Sequence, residues 1–294
     1  MALADKLRYH AYEWNKYDTT GKWSMMQILV TNDDGIDSLG LWHLAAALRN
    51  TGLGQVTIIA PAEEQSGTSM SFPPRDEHAI RPVSPPDSIF AGIPAFALDG
   101  TPVNCVTLAM LAVVAPRPDI IVSGINRGLN SGRNVMLSGT VGAAMAGVVW
   151  GVPGLAVSAQ YVRDEPMGWG SAAWAATQML PLVRDYSSSE GNHPLILNVN
   201  VPHTHNPAKL RGFRQTVLSD FFYGSFIAVG EMMANDQGGQ RFRYTFDRSR
   251  FPTAFDELTD DGAIRAGYVS VTPLTPLAVH PRINLDGLLA ILRS

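Results

Sequence analysis

The sequence predicts an α/β fold: a Rossmann-like, mainly parallel sheet flanked by helices on both faces, with a C-terminal β-hairpin and arm excursion. Three observations predict it. From Gln27 to about Asn200, short β-branched runs alternate with apolar helical stretches, and such alternation builds a mainly parallel sheet covered on both sides. The first run, Q-I-L-V-T-N-D-D-G-I over Gln27–Ile36, stops on Asn32-Asp33-Asp34-Gly35, as a buried strand bounded by a turn does. After Asn200 the chain becomes polar and Gly-rich with only short β-like pieces, which suits an excursion and not a second core.

Strands are predicted over Gln27–Thr31, Gln55–Ala60, Phe96–Leu98, Asp119–Ser123, Gly154–Ser158 and Leu195–Val199, each an apolar run between polar or Gly-containing breaks. Helices are predicted between them over Leu39–Arg49, Pro102–Val114, Thr140–Trp150 and Ser171–Tyr186. Thr101-Pro102 is a good helix start, with Thr at the N-cap and Pro at the first helical position. In the later region, Phe213–Leu218 and Arg241–Phe246 read as short β pieces, Tyr268–Thr272 as a further strand, and Leu285–Leu292 as a short amphipathic tail. The expected organisation is an N-terminal extension at 1–24, a candidate for disorder; an α/β catalytic core at 25–202; and a hairpin excursion with an oligomerisation arm at 203–294, from which strand 268–272 returns to the core.

Bulk properties narrow the function. The 294 residues are 46% hydrophobic, enough for a sizeable core. Net charge is −4, the pI is near 6.0, and no Lys/Arg-rich run occurs, which argues against a nucleic-acid groove. One cysteine, Cys105, makes no internal disulfide and fits a reducing cytosol. No apolar run reaches the ~18–20 residues of a membrane span, and residues 1–24 lack the apolar core of a signal peptide.

Four loops at strand ends carry the chemistry. Asp33 and Asp34 follow the first strand, where ligands of open α/β sheets bind. Adjacent carboxylates repel each other unless a cation sits beside them, so the pair points to a divalent metal held by oxygen; the plain alternative is a helix-capping turn. The second loop, Pro61–Ser69, offers Ser66, Thr68 and Ser69 around Gly67; alone it reads more simply as a surface loop. The third, Ser123–Gly132, holds three glycines with Asn126 and Asn130, a backbone able to bend sharply around a ligand. The fourth, Ser138-Gly139-Thr140, precedes an Ala/Gly-rich helix: either a phosphate cradle on free N–H groups and the helix dipole, or a simple N-cap. Oxygen ligands suit Mg²⁺ or Mn²⁺ rather than Zn²⁺. His203 and His205 read as part of a polar loop, and Cys105 as core. There is no P-loop, no G-x-G-x-x-G after a strand and no G-x-S-x-G elbow. A haloacid-dehalogenase phosphatase is disfavoured, because Asn32 stands where the nucleophilic Asp would be needed.

Taken together, the stretches I-L-V-T-N-D-D-G-I (28–36), A-P-A-E-E-Q-S-G-T-S (60–69), G-T-P-V-N-C-V (100–106), P-D-I-I-V-S-G-I-N-R-G-L-N (118–130), S-G-T-V-G-A-A-M (138–145), L-N-V-N-V-P (197–202) and T-D-D-G-A-I-R-A-G-Y-V-S-V-T-P-L (259–274) resemble the SurE family of survival-protein nucleotidases. The resemblance implies a cytoplasmic, metal-dependent 5′/3′-nucleotidase, a homodimer or homotetramer, acting on nucleoside monophosphates; some members also cleave short polyphosphate. It implies one divalent ion per subunit, Mg²⁺ or Mn²⁺, on Asp33, Asp34, Ser66 and Asn126. Asn130, Ser138, Gly139 and Thr140 would line the phosphate pocket. Two departures stand out: Asn104 where the family commonly has Asp, and Glu63-Glu64-Gln65 where basic residues are usual, which weighs against polyphosphate. The expected mechanism is direct hydrolysis, with one of the two aspartates assisting the water. Rival readings are a nucleotide-binding regulator without catalysis, a phosphatase of other small esters, and a structural oligomer.

Overall fold

In a computed structural model the chain is described over residues 25–73, 75–187, 193–234 and 238–275. The expected N-terminal extension and the tail at 285–292 lie outside the described residues. The first strand, β1 (Met26–Thr31), turns Ile28 and Val30 to one face of the sheet and Leu29 to the other, as a period of two requires. The following helix, α1 (Leu39–Asn50), lays Leu41, Trp42, Leu44 and Leu48 against the Ile28/Val30 face. Each such fully buried leucine contributes roughly 1.5–3 kcal/mol.

The chain continues through β2 (Gly54–Pro61), β3 (Ile80–Pro82), β4 (Ala95–Leu98), α2 (Pro102–Met110), β5 (Ile120–Arg127), α3 (Gly139–Ala146), β6 (Gly154–Ala159), α4 (Trp169–Ser187) and β7 (Ile196–Val201). Then follow β8 (Phe213–Gln215), β9 (Ile227–Val229), β10 (Met233–Ala234), β11 (Gln240–Arg241), β12 (Tyr244–Phe246), α5 (Asp260–Arg265) and β13 (Val269–Leu274). Nine strands form one sheet in the order β3-β4-β2-β1-β5-β6-β7-β13-β8. The six strands from β4 across to β7 run parallel, while β3 and β13 pair antiparallel with β4 and β7. Helices α1 and α4 pack together over one face, and α2 with α3 over the other. The α2 side buries Leu29, Ile59, Cys105, Val106 and Ile121; Cys105 is therefore core, and burial pushes its thiol far up. Among the described residues, no helix is long and apolar enough to cross a membrane.

The strand order locates the site. From β1 the chain builds outward through β2 to β4, then returns to β5 beside β1 and builds the other way. The seam between β1 and β5 is a topological switch point, and the crevice beyond the carboxyl ends there is where such sheets bind ligands.

Element ends differ from expectation in physically legible ways. Helix α2 stops at Met110 instead of Val114, and Ala112 takes a left-handed φ of 55°. The helix from Thr140 is α-helical only to Ala146, then tightens to a 3₁₀ turn over Gly147–Trp150 that ends on left-handed Gly151. Strand β5 runs four residues past Ser123, and the expected Phe213–Leu218 piece is a strand only over Phe213–Gln215, on the sheet edge. The expected Arg241–Phe246 piece divides into two short strands, β11 and β12, on separate hairpins. The start of α2 is as expected: Thr101 Oγ1 accepts from the N–H of Asn104 at 3.2 Å, and Asn104 Oδ1 accepts from the N–H of Thr101 at 3.0 Å. Asn104 thus completes a capping box.

Candidate active site

Beyond the switch point lies a cleft of about 390 Å³, whose walls include Asp33, Asp34, Ser66, Asn126, Asn130 and Ser138. Four separate loops deliver these residues. The first is turned by Asn32, whose Nδ2 donates to the Gly35 carbonyl at 3.0 Å. The second is fastened to it, since the N–H of Gln65 donates to the Asp33 carbonyl at 2.7 Å. In this loop Ser66 Oγ donates to Glu64 Oε1 at 2.7 Å and keeps its lone pairs.

The third loop leaves β5 through a bulge, with the pairing to β6 shifting register between Gly124 and Asn126. A Cβ at Gly124 would stand 2.3 Å from the Val157 carbonyl oxygen, so glycine alone allows this approach and the re-aiming of Asn126. Asn126 Nδ2 donates to the Gly128 carbonyl at 2.9 Å, which spends the amide nitrogen and leaves the carbonyl oxygen as a ligand. Asn130 is pinned by β7: its N–H donates to Asn200 Oδ1 at 2.9 Å, while its carbonyl accepts from Asn198 Nδ2 at 2.8 Å and Asn200 Nδ2 at 3.0 Å. Asn130 Nδ2 donates to Ser158 Oγ at 3.0 Å.

In the fourth loop Ser138 caps α3, its Oγ accepting from the N–H of Val141 at 3.1 Å. Gly139 and Thr140 stand behind Asp33. The Thr140 hydroxyl donates to Asp33 Oδ1, and the N–H groups of Gly139 and Thr140 also bond that carboxylate. The positive end of α3 thus faces Asp33, and Ser138 alone of the three reaches the cleft wall.

The electrostatics are those of an unneutralised acidic pair. Burial, outweighing these hydrogen bonds, holds the Asp33 carboxyl above its ordinary range. Asp34 is pushed up to about 6, first by burial and then by the charge of Asp33. Among the described residues no side-chain cation lies within ion-pair distance of either carboxylate. Arg127, which lines the cleft, offers its backbone N–H to Asp34 Oδ2 at 3.4 Å, while its guanidinium lies 4.5 Å over the Tyr161 ring. The candidate ligands in the cleft are hard oxygens, the two carboxylates with the Ser66 hydroxyl and the Asn126 carbonyl, and the Glu64 carboxylate beside Ser66 adds to the negative charge felt by Asp34. That chemistry and that charge deficit fit a divalent cation. Among the described residues there is no cluster of three His, Cys, Asp or Glu side chains able to hold a metal, so the neutral oxygens are needed to complete such a site.

Residues that sequence reasoning had not assigned also shape the cleft. Arg127, Asn134 and Tyr223 line it together with Glu64, and Asn198 and Asn200 set the third loop. The asparagine pair had a signal: two polar residues two apart in an otherwise apolar, fully buried strand. A further tether comes from α5. Asp260 accepts from the N–H groups of Gly132 at 2.8 Å and Ser219 at 2.9 Å, and Asp261 from the hydroxyls of Ser131 at 2.7 Å and Ser219 at 2.5 Å.

The family described as Survival protein SurE matches residues 28–224. Over 254 residues the chain is 37% identical to a protein of Chloroflexus aggregans named 5′-nucleotidase SurE, covering 85% of this chain and 92% of that one. It is also 37% identical over 250 residues to a protein of Edwardsiella ictaluri named 5′/3′-nucleotidase SurE, covering 85% and 89%. The crystal structure of the SurE protein from Aquifex aeolicus superposes with a TM-score of 0.71 at 28% identity, covering 91% of this chain and all of that one (100%). Fold, ordered loops and family match agree: the chain belongs to the SurE family.

Proposed function

We propose that this protein is a divalent-metal-dependent nucleotidase that hydrolyses nucleoside 5′-monophosphates, and 3′-monophosphates as well, to nucleoside and phosphate. That it is a nucleotidase follows from its family and from the activity its relatives are named for. The observation that carries the metal-dependent reading is the adjacent carboxylate pair at the switch point, Asp33 buried and Asp34 half-buried, with the oxygens of Ser66 and Asn126 in the same cleft and no side-chain cation within ion-pair distance among the described residues.

Asp33, Asp34, Ser66 and Asn126 would hold the ion. A divalent cation held there supplies Lewis-acid polarisation of a phosphoryl oxygen and acidifies a water. Thr140 and the N-terminus of α3 orient Asp33 and offset part of the cost of burying its charge, because hydrogen bonds to a carboxylate favour its charged form. Asn130, locked by Asn198 and Asn200, offers its amide to the phosphoryl group without needing to reorganise, and preorganised donors of this kind stabilise developing charge. Ser138 lines the same wall. Of the two aspartates, Asp34, the less buried, would be the one to accept a proton from water.

The test is phosphate release from 5′-AMP and 3′-AMP with Mg²⁺, Mn²⁺ or Co²⁺ and with EDTA, for the wild type and Asp33→Asn. Turnover is expected with metal and is expected to vanish in EDTA and in the variant, whose circular dichroism stays native. Undiminished activity in EDTA, or in Asp33→Asn, sinks the scheme.

A further inference from the structure

Among the described residues that line the cleft, Arg127 carries the one cationic side chain. It shares those walls with three carboxylates, of Asp33, Asp34 and Glu64. One divalent ion held by the acidic pair would leave one of these negative charges unmatched. A phosphomonoester brings close to two more at neutral pH, so its entry calls for positive charge beyond that of the ion. Among the described residues the Arg127 guanidinium makes no ion pair, and its charge remains available to an incoming anion.

The fold sets that charge at the rim and steadies it there. Arg127 ends β5 opposite Ala159 of β6, and the N–H of Gly128 donates to the Ala159 carbonyl at 2.9 Å. Two residues beyond Ala159 stands Tyr161, over whose ring the guanidinium lies at 4.5 Å. A cation–π contact of this kind holds a guanidinium by its face and leaves its N–H donors for other partners. On the other side, the backbone N–H of Arg127 points to Asp34, and the residue before it is Asn126. The charge of Arg127 is felt at Asp34, where it opposes burial and the charges of Asp33 and Glu64. The side chain is exposed, so rotation about its own bonds suffices to bring the guanidinium inward while the backbone ladder stays fixed.

We propose that Arg127 is a further catalytic residue, a clamp that turns from the Tyr161 ring onto the non-bridging oxygens of the bound phosphoryl group, with Tyr161 as its positioning residue. A guanidinium presents two parallel N–H donors that match two oxygens of one phosphoryl group. Its charge supplies the balance that a single divalent ion leaves open, and it stabilises the negative charge that gathers on those oxygens during hydrolysis. Arg127 forms no covalent bond and gives up no proton, because a guanidinium stays protonated. The proposal rests on the nucleotidase reading, since it takes the cleft to hold the phosphoryl group.

The experiment reads two affinities whose responses diverge. Calorimetry measures Mn²⁺ binding, and separately the binding of inorganic phosphate in saturating Mg²⁺, for the wild type, Arg127→Ala, Arg127→Lys, Tyr161→Ala and Tyr161→Phe. Values of kcat and KM for AMP follow on the same proteins. Arg127→Ala is expected to weaken phosphate binding and kcat/KM by on the order of tenfold or more, as the loss of a hydrogen bond to a charged group entails. Mn²⁺ is expected to bind that variant at least as tightly as the wild type, because a like charge has gone. Arg127→Lys recovers only part of the loss, since the charge remains and the planar fork does not. Tyr161→Ala is expected to weaken phosphate roughly threefold, Tyr161→Phe to leave it unchanged, and Tyr161→Ala to add nothing in the Arg127→Ala background. Mn²⁺ and phosphate affinities that fall together in Arg127→Ala mark a structural role and overturn the proposal. Unchanged phosphate affinity in Arg127→Ala overturns it while AMP hydrolysis still stands, and a Tyr161→Ala loss that adds in full to that of Arg127→Ala removes the positioning role. Phosphate binding that needs Arg127, in a protein that hydrolyses no phosphomonoester, keeps the phosphate contact and removes the nucleotidase reading; a wild type that binds no phosphate overturns both.

Discussion

Asn130 and Asn200 grip each other in both directions: the Asn130 N–H donates to Asn200 Oδ1 at 2.9 Å, and Asn200 Nδ2 returns to the Asn130 carbonyl at 3.0 Å. Asn200 is fully buried at 0% exposure. Removing it strands a backbone N–H and half-satisfies a carbonyl in a place water does not reach. Asn200→Ala is expected to cost roughly 1–3 kcal/mol of stability and to lower kcat more than it raises KM, because the loop carrying Asn126 and Asn130 loosens. Urea melts and steady-state kinetics on AMP check this; a wild-type kcat in the variant would show that the pair is only structural.

Asp34 ties stability to pH. Its folded-state pKa is raised from 3.8 to about 6, so the native state holds the proton more tightly than the unfolded chain. The sign follows: the contribution is present below about pH 4 and is lost as pH rises through about 6. In EDTA, Asp34→Asn should therefore melt close to the wild type at pH 4.5 and clearly above it at pH 7. Mn²⁺ affinity of the wild type should rise with pH up to about 6 and then level off, because the ion displaces that proton. Differential scanning fluorimetry at the two pH values decides; an equal gap at both contradicts the assignment.

Gly139 has no room for a side chain. A Cβ there would stand 2.7 Å from Asp33 Cβ and 2.8 Å from Asp33 Oδ2. Gly139→Ala must push Asp33 away from the N-terminus of α3, at a cost typical of overpacking, roughly 1–3 kcal/mol. Activity is expected to fall by at least tenfold with Mn²⁺ affinity falling alongside it. Retained affinity would place Asp33 outside the metal site.

Asn104, in contrast, is expected to be replaceable. Its Oδ1 acts only as an acceptor, from the Thr101 N–H and from the Thr101 hydroxyl at 2.9 Å. A carboxylate fills that role and also favours a helix N-terminus. Asn104→Asp should leave AMP turnover unchanged and move stability by no more than about 1 kcal/mol. A large loss of activity would show that this position reaches the cleft.

Much of this was readable from the sequence because buried parallel strands announce themselves. Val30, Ile58, Val122 and Val157 sit in apolar runs that no solvent-facing alternation interrupts. The edge strand β3, Ile80–Pro82, was not readable: its three residues are half or fully exposed and include a proline. In the site, the residue types were legible and their pairings were not. Ser138-Gly139-Thr140 advertised a helix start, but nothing local says that Thr140 reaches across 107 positions to Asp33. Tyr223 lies in a stretch without periodicity, so its place on the cleft wall emerges only in three dimensions.

The Asp260 tether joins positions 128 and 41 residues away to a single carboxylate. During synthesis the sheet strands from β1 to β7 emerge from the ribosome long before that carboxylate does, so the loop bearing Asn126 and Asn130 is first held by Asn198 and Asn200 and gains its second anchor only when residue 260 arrives. A nascent chain cut short of α5 would therefore carry the right residues on a loop moored to β7 alone, with Gly132 and Ser219 still waiting for their acceptor.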